Sequence, residues 1–197
     1  LTGRFPGHHQ VTGNFWFDRR TMECRNYMTL ETYRTVNHHL AVPTLYDWLA
    51  DHFTVGIAHH TCRGVTESIN GAEGFFWAWA LGRYKMADSR VSIAMKEVIH
   101  RANRVGRWPS VLMTYYPGVD EIGHRFGTYS SRYADALVNI DRIVGEISDL
   151  LEKSGLGEST YYVLMADHGM VPAGQSIDVL DWIGTMRKAR IRRHSIE

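Results

Sequence analysis

Tyr133, Leu137, Ile140, Val144, Ile147 and Leu151 recur at 4-3-4-3-4 spacing, which draws one apolar stripe along a single long helix. Ser130-Ser131 offers its N-cap, and Gly155 and Gly157 end it. Apolar runs of buried-strand type stand on either side, Val111 to Tyr116 and Tyr161 to Ala166. Strand, helix and strand in this order predict a βαβ unit, because parallel strands need a crossover of that length. Such a crossover is right-handed, so both strands should end on the same edge of one sheet. All-helical and purely antiparallel architectures are thereby excluded for this part of the chain.

The same alternation extends upstream. Thr44 to His52 opens with Thr44 and Asp47 in capping-box spacing, and Phe53 to Ala58 follows as a short strand. From Asp88 or Ser89, either of which can cap, Val91, Met95, Val98, Ala102 and Val105 form a second helical stripe. Gly106 stops that helix and Pro109 confirms the stop. Val111 to Tyr116 ends at Pro117-Gly118. Strands alternating with amphipathic helices predict an α/β fold, a mostly parallel sheet flanked by helices. No repeat, low-complexity segment or domain linker interrupts it.

A chain of 197 residues with 44% hydrophobic content can bury the core of one soluble domain. Its longest apolar stretches, such as Phe75 to Leu81, fall far short of the roughly 20 residues of a membrane span. A formal net charge of +1 gives no case for nucleic-acid binding. The basic run Arg187, Lys188, Arg190, Arg192 and Arg193 reads as a solvated surface, with a substrate or lipid contact as the rarer alternative. The chain opens on Leu1-Thr2-Gly3-Arg4 rather than methionine and closes on a charged stretch, so it is expected to be incomplete at both ends. Oligomeric state is not legible.

Two residue pairs carry the chemistry. Asp120 and His124 stand at i and i+4 just after the strand at Val111 to Tyr116, on what reads as a loop. One helical turn there would bring carboxylate and imidazole onto one face, where they could share a cation. Asp167 and His168 are adjacent, and can converge only where a strand ends, at a turn that Gly169 permits. The βαβ unit should gather all four on one sheet rim, where open α/β sheets place their ligands. Either pair alone is weak, because Asp after Pro-Gly is often a helix cap and a single His is often surface. Both in order, each behind a strand, point to a two-metal hydrolase.

Cys24 and Cys62 are too few for a disulfide scaffold and lack zinc spacing, though sequence leaves a single bridge open. Neither begins a C-x-P-x-R or C-x5-R pattern, which argues against formylglycine and cysteine-nucleophile centres. The doublets His8-His9, His38-His39 and His59-His60 read mostly as loop or strand-end residues. Trp77 and Trp79, within Phe75-Phe76-Trp77-Ala78-Trp79, read first as helix-packing aromatics and second as a stacking platform.

Y-x-x-x-D-x-x-G-H at Tyr116 to His124, S-x-x-Y-x-x-A-L-x-x-I-D from Ser130, and A-D-H-G-M at Ala166 to Met170 together resemble the type I phosphodiesterase and nucleotide pyrophosphatase branch of the alkaline phosphatase superfamily. The opening T-G-R-F-P-G-H-H-Q-V-T-G-N resembles that branch's T-G-x-x-P-x-x-H-G-I-x-x-N segment, with Gln10 where the family usually has Gly. Coverage runs from Leu1 to about Trp182; Thr61 to Tyr84 does not align.

The resemblance implies an alkaline-phosphatase-like fold, with residues 1–197 as the central fragment of one catalytic domain. It also implies two zinc ions, with manganese or iron as alternatives. Asp120 and His124 would hold one, Asp167 and His168 the other, and Asn14 would hydrogen-bond a phosphoryl oxygen, a contact worth roughly 3 kcal/mol in other enzymes. Asn14 by itself reads as a turn residue after Gly13. The family's Thr or Ser nucleophile, which becomes phosphorylated, and its first Asp ligand are expected upstream of Leu1, and a last His ligand near the C-terminus; His194 lies too close behind Asp167 to serve. The fragment alone is therefore expected to be inactive. Substrates implied are small phosphate esters, phosphodiesters or nucleotides, in an extracytoplasmic setting. The alternatives are a phosphomonoesterase, phosphonate hydrolase or phosphomutase of the superfamily, or a metal-binding but inactive homologue.

Overall fold

Ser130 caps the longest helix as its spacing requires, its Oγ accepting the Tyr133 amide at 3.2 Å. The computed structural model describes residues 1–29, 32–69, 74–172, 174 and 178–188. In chain order its elements are α1 (Pro6–His9), β1 (Phe15–Asp18), β2 (Glu23–Asn26), α2 (Val36–His39), α3 (Leu45–Trp48), β3 (Thr54–Ile57), β4 (Glu67–Ile69), α4 (Phe75–Ala80), α5 (Tyr84–Val105), β5 (Val111–Thr114), α6 (Gly118–Phe126), α7 (Ser131–Lys153) and α8 (Val179–Lys188). The chain divides into two units, Leu1–Met165 and Ala166–Glu197.

The first unit is built on a parallel sheet of order β4-β3-β5. Central β3 is wholly buried, and its register sets Val55 beside Leu112 and Ile57 beside Thr114. The α5 stripe, through Val91, Ala94 and Val98, packs on Val55 and Ile57. Ile99 continues the stripe toward Ile143, Ile147 and Leu151 of α7, so a second apolar cluster ties the two long helices together. Each buried Val, Ile or Leu among them contributes about 2 kcal/mol relative to exposure. This is the expected α/β arrangement, parallel strands flanked by helices. An antiparallel β1–β2 hairpin, which sequence reasoning did not anticipate, precedes it.

Both halves of the Thr44–Asp47 capping box form: the Asp47 amide donates to Thr44 Oγ1 at 3.1 Å and the Thr44 amide to Asp47 Oδ2 at 2.7 Å. The helix it opens is only α3, shorter than the spacing to His52 suggested. Gly106 ends α5 in the left-handed conformation at φ 68°, as expected. The start of α5 differs. It begins at Tyr84, and Asp88 is a buried interior residue rather than its cap.

The expected strand Tyr161 to Ala166 is not formed. This stretch has no ladder partner, and Tyr161 is 97% exposed, with Val163, Leu164 and Met165 exposed as well. Strand propensity reflects fit to a half-buried pleated surface rather than a backbone preference, so without a partner the composition alone makes no strand. In the second unit, Asp178 opens α8, its Oδ1 accepting the Leu180 amide at 2.8 Å. Of the basic run, Arg190, Arg192 and Arg193 lie outside the described residues, as does His194.

Candidate metal centre

The strand β5 runs into Tyr115, Tyr116 and Pro117, and α6 starts at Gly118. Asp120 and Glu121 occupy its first turn and His124 and Arg125 its last, the charge order that the helix dipole favours. Asp120 and His124 thus sit on a short helix, not on the expected loop. The i,i+4 spacing brings His124 Nε2 to 3.4 Å from Asp120 Oδ1. The imidazole side chain is 66% exposed and the carboxylate side chain 34%. One oxygen and one nitrogen donor therefore meet on one helix face, the imidazole open to solvent and Asp120 Oδ1 itself buried.

Trp79 of α4 donates its indole N–H to Glu121 Oε1 at 2.6 Å and lies 5.8 Å from the Phe76 ring. It is a packing aromatic that ties α4 to α6, as its first reading held. Trp77 is largely exposed.

His59 and His60 follow β3, next to the residues that follow β5. Their rings stack at 5.8 Å, and His60 meets Tyr115 edge-on at 6.0 Å. Burial drives His59 down to about 4 and lowers His60 too, so both imidazoles are neutral at neutral pH. Buried Asn37 anchors this loop: its Nδ2 donates to the His60 carbonyl at 2.8 Å, and its Oδ1 accepts the Cys62 and Arg63 amides. Arg63 in turn donates to Asp47 and to the Leu40 and Val42 carbonyls. The doublet thus stands at a strand end, as one of its two readings had it, and is more buried than a polar loop would be. Cys24 and Cys62 are both free thiols.

Asp88 is the residue that sequence reasoning placed wrongly. It is 1% exposed, and its Oδ1 accepts the Gly118 amide, the first of α6, at 3.0 Å. Burial pushes its carboxyl up to about 7 against that hydrogen bond. The signal was present: Asp88 stands three residues before Val91 and seven before Met95, in register with the apolar stripe rather than ahead of it.

Asn14 is exposed at the entry to β1, where its carbonyl accepts the Tyr27 amide at 2.8 Å. Upstream, Gln10 takes the left-handed conformation at φ 64°, so this position keeps a glycine-like backbone without glycine. Asp167 and His168, in the second unit, are both largely exposed, with Nε2 of His168 at 3.8 Å from Asp167 Oδ2. His168 Nδ1 lies 3.0 Å from the Gly169 carbonyl. A carbonyl only accepts, so this bond puts the proton on Nδ1 and the lone pair on Nε2, the tautomer of a metal-binding imidazole. Structural zinc takes four ligands and catalytic zinc three plus water. Each pair supplies two, and among the described residues no three such side chains form one cluster. The donor chemistry fits a divalent transition metal; the number of donors does not complete its shell.

The family described as type I phosphodiesterase / nucleotide pyrophosphatase matches residues 1–195. The chain belongs to this family. It is 32% identical over 78 residues to a Schizosaccharomyces pombe protein named as an uncharacterized pyrophosphatase/phosphodiesterase, covering 40% of this chain and 16% of that protein. Against mouse ectonucleotide pyrophosphatase/phosphodiesterase family member 7, the identity is 23% over 177 residues, covering 76% of the chain and 40% of the relative. Against GPI ethanolamine phosphate transferase 3 of Schizosaccharomyces pombe it is 43% over 83 residues, covering 42% and 8%. The chain thus spans less than half the length of each of these relatives.

Proposed function

We propose that the protein carrying this chain is a metal-dependent hydrolase of phosphate esters, acting on phosphodiesters or nucleotide pyrophosphates. The family match carries the reading. The Asp120–His124 face directly behind β5, where open α/β sheets bind ligands, supports it. Asp120 and His124 would hold one divalent ion and Asp167 and His168 a second, zinc by the chemistry of a mixed carboxylate and imidazole set. Such a pair of ions, when bound, stabilises charge on the attacking and leaving oxygens of an in-line displacement at phosphorus. Asn14 would donate its side-chain amide to a phosphoryl oxygen. No residue of this chain is assigned as the nucleophile.

A second reading has one observation in its favour, the 43% identity over 83 residues to a protein named as a GPI ethanolamine phosphate transferase. The phosphoryl-bearing group would then pass to an alcohol instead of water. Hydrolysis of a chromogenic phosphodiester and of its monoester by the zinc-loaded full-length protein tests both. Turnover of the diester that Asp120→Ala and His124→Ala each abolish upholds the first reading. Product accumulating only when an alcohol acceptor is present upholds the second. Turnover unchanged in both variants overturns the metal assignment.

A further inference from the structure

A carboxylate on the apolar stripe of α5 interrupts the face that packs on β3, where an aliphatic residue would keep the core continuous. Its presence is explained by α6, not by α5. The first four amides of a helix have no partner within it. Pro117, at the N-cap of α6, contributes no side-chain cap. Asp88 supplies one from another helix, 30 residues upstream, by accepting the Gly118 amide. The approach is so close that a Cβ on Gly118 would lie 2.0 Å from Asp88 Oδ2, so only glycine admits it.

We infer that Asp88 is a positioning residue for the Asp120–His124 pair. It fixes the first turn of α6, two residues before Asp120, onto α5 and so sets where the two donors stand beyond β5. The inference rests on the reading of that pair as metal ligands, and adds to it a carboxylate that touches neither donor in the hydrogen bonds and ion pairs it makes.

The test titrates Zn2+ into chelator-stripped full-length protein against a chromophoric competitor, for wild type, Asp88→Ala and Asp88→Asn. The amide oxygen of asparagine still accepts from Gly118. Asp88→Ala is expected to weaken zinc binding by about 10-fold, the effect of losing one buried hydrogen bond that orders the helix carrying the donors. Asp88→Asn is expected to remain close to wild type. Equal zinc affinity in wild type and Asp88→Ala, or a loss in Asp88→Asn as large as in Asp88→Ala, overturns the inference.

Amide exchange in the zinc-free proteins gives a readout independent of the metal. Residues 118–126 should lose protection in Asp88→Ala while α7 keeps it, and regain it in Asp88→Asn. Wild-type protein that takes up no zinc would overturn the metal reading of the pair alone. Unchanged protection of 118–126 in Asp88→Ala would overturn the anchoring itself.

Discussion

Asp88→Asn should change how stability depends on pH, by an amount that burial sets. The carboxyl moves from its ordinary 3.8 to about 7 because desolvation outweighs the Gly118 hydrogen bond. Between those values the folded chain holds a proton that the unfolded chain has released. Stability therefore falls as pH rises, with no cost below the unfolded value and the whole cost above the folded one. At about 1.4 kcal/mol per pKa unit the displacement corresponds to on the order of 4 kcal/mol. His59 acts in the opposite sense. Burial lowers it to about 4, so from there to its ordinary 6.5 the unfolded chain binds more protons and stability rises with pH. In the wild type the two trends offset each other, and only the difference between variants isolates Asp88. Asparagine does not titrate in this range. Urea unfolding of metal-stripped wild type and Asp88→Asn from pH 4 to pH 8 should show the variant gaining on the order of 4 kcal/mol relative to wild type as pH rises. Parallel stability curves would refute the assignment of a buried, displaced carboxyl at this position.

Gly118→Ala should destabilise by about 3 kcal/mol, from overpacking against Asp88 and the strained hydrogen bond, measured as a shift in urea midpoint. Trp79→Phe keeps an aromatic ring, though a smaller one, and loses the bond to Glu121, and calorimetry should show a loss of at least about 1 kcal/mol. Asp167→Ala in the full-length protein should remove one of two bound metal equivalents by atomic absorption; unchanged metal content would place the second ion elsewhere.

The long helices were legible because their stripes repeat over many turns and their ends carry chemistry of their own, Ser130 at one start and Gly106 at one stop. The strands β3 and β5 were legible as short apolar runs bounded by turn residues. What failed depends on partners distant in sequence. Asp88 has the composition of a cap and serves as one, but for a helix that begins 30 residues later, which no local window contains. Tyr161 to Ala166 has a strand's composition without a strand's neighbour. In the candidate site, the i,i+4 spacing foretold that Asp120 and His124 would meet, since it is a property of one helix. That α4 would dock on this helix through Trp79 and Glu121 could not be read from either segment alone.

The unpaired stretch after α7 bears on how the chain behaves in solution. Among the described residues β5 bonds to β3 alone, so its other side is a row of backbone donors and acceptors open to any extended chain. Tyr161, Val163, Leu164 and Met165 present the opposite half of such a ladder, uncharged, without proline and bare to water. Segments of that composition drive cross-β stacking when exposed. Light scattering that rises with protein concentration, and falls when Val163 or Leu164 is replaced by Lys, is therefore the expected mark of this stretch meeting the open sheet edge.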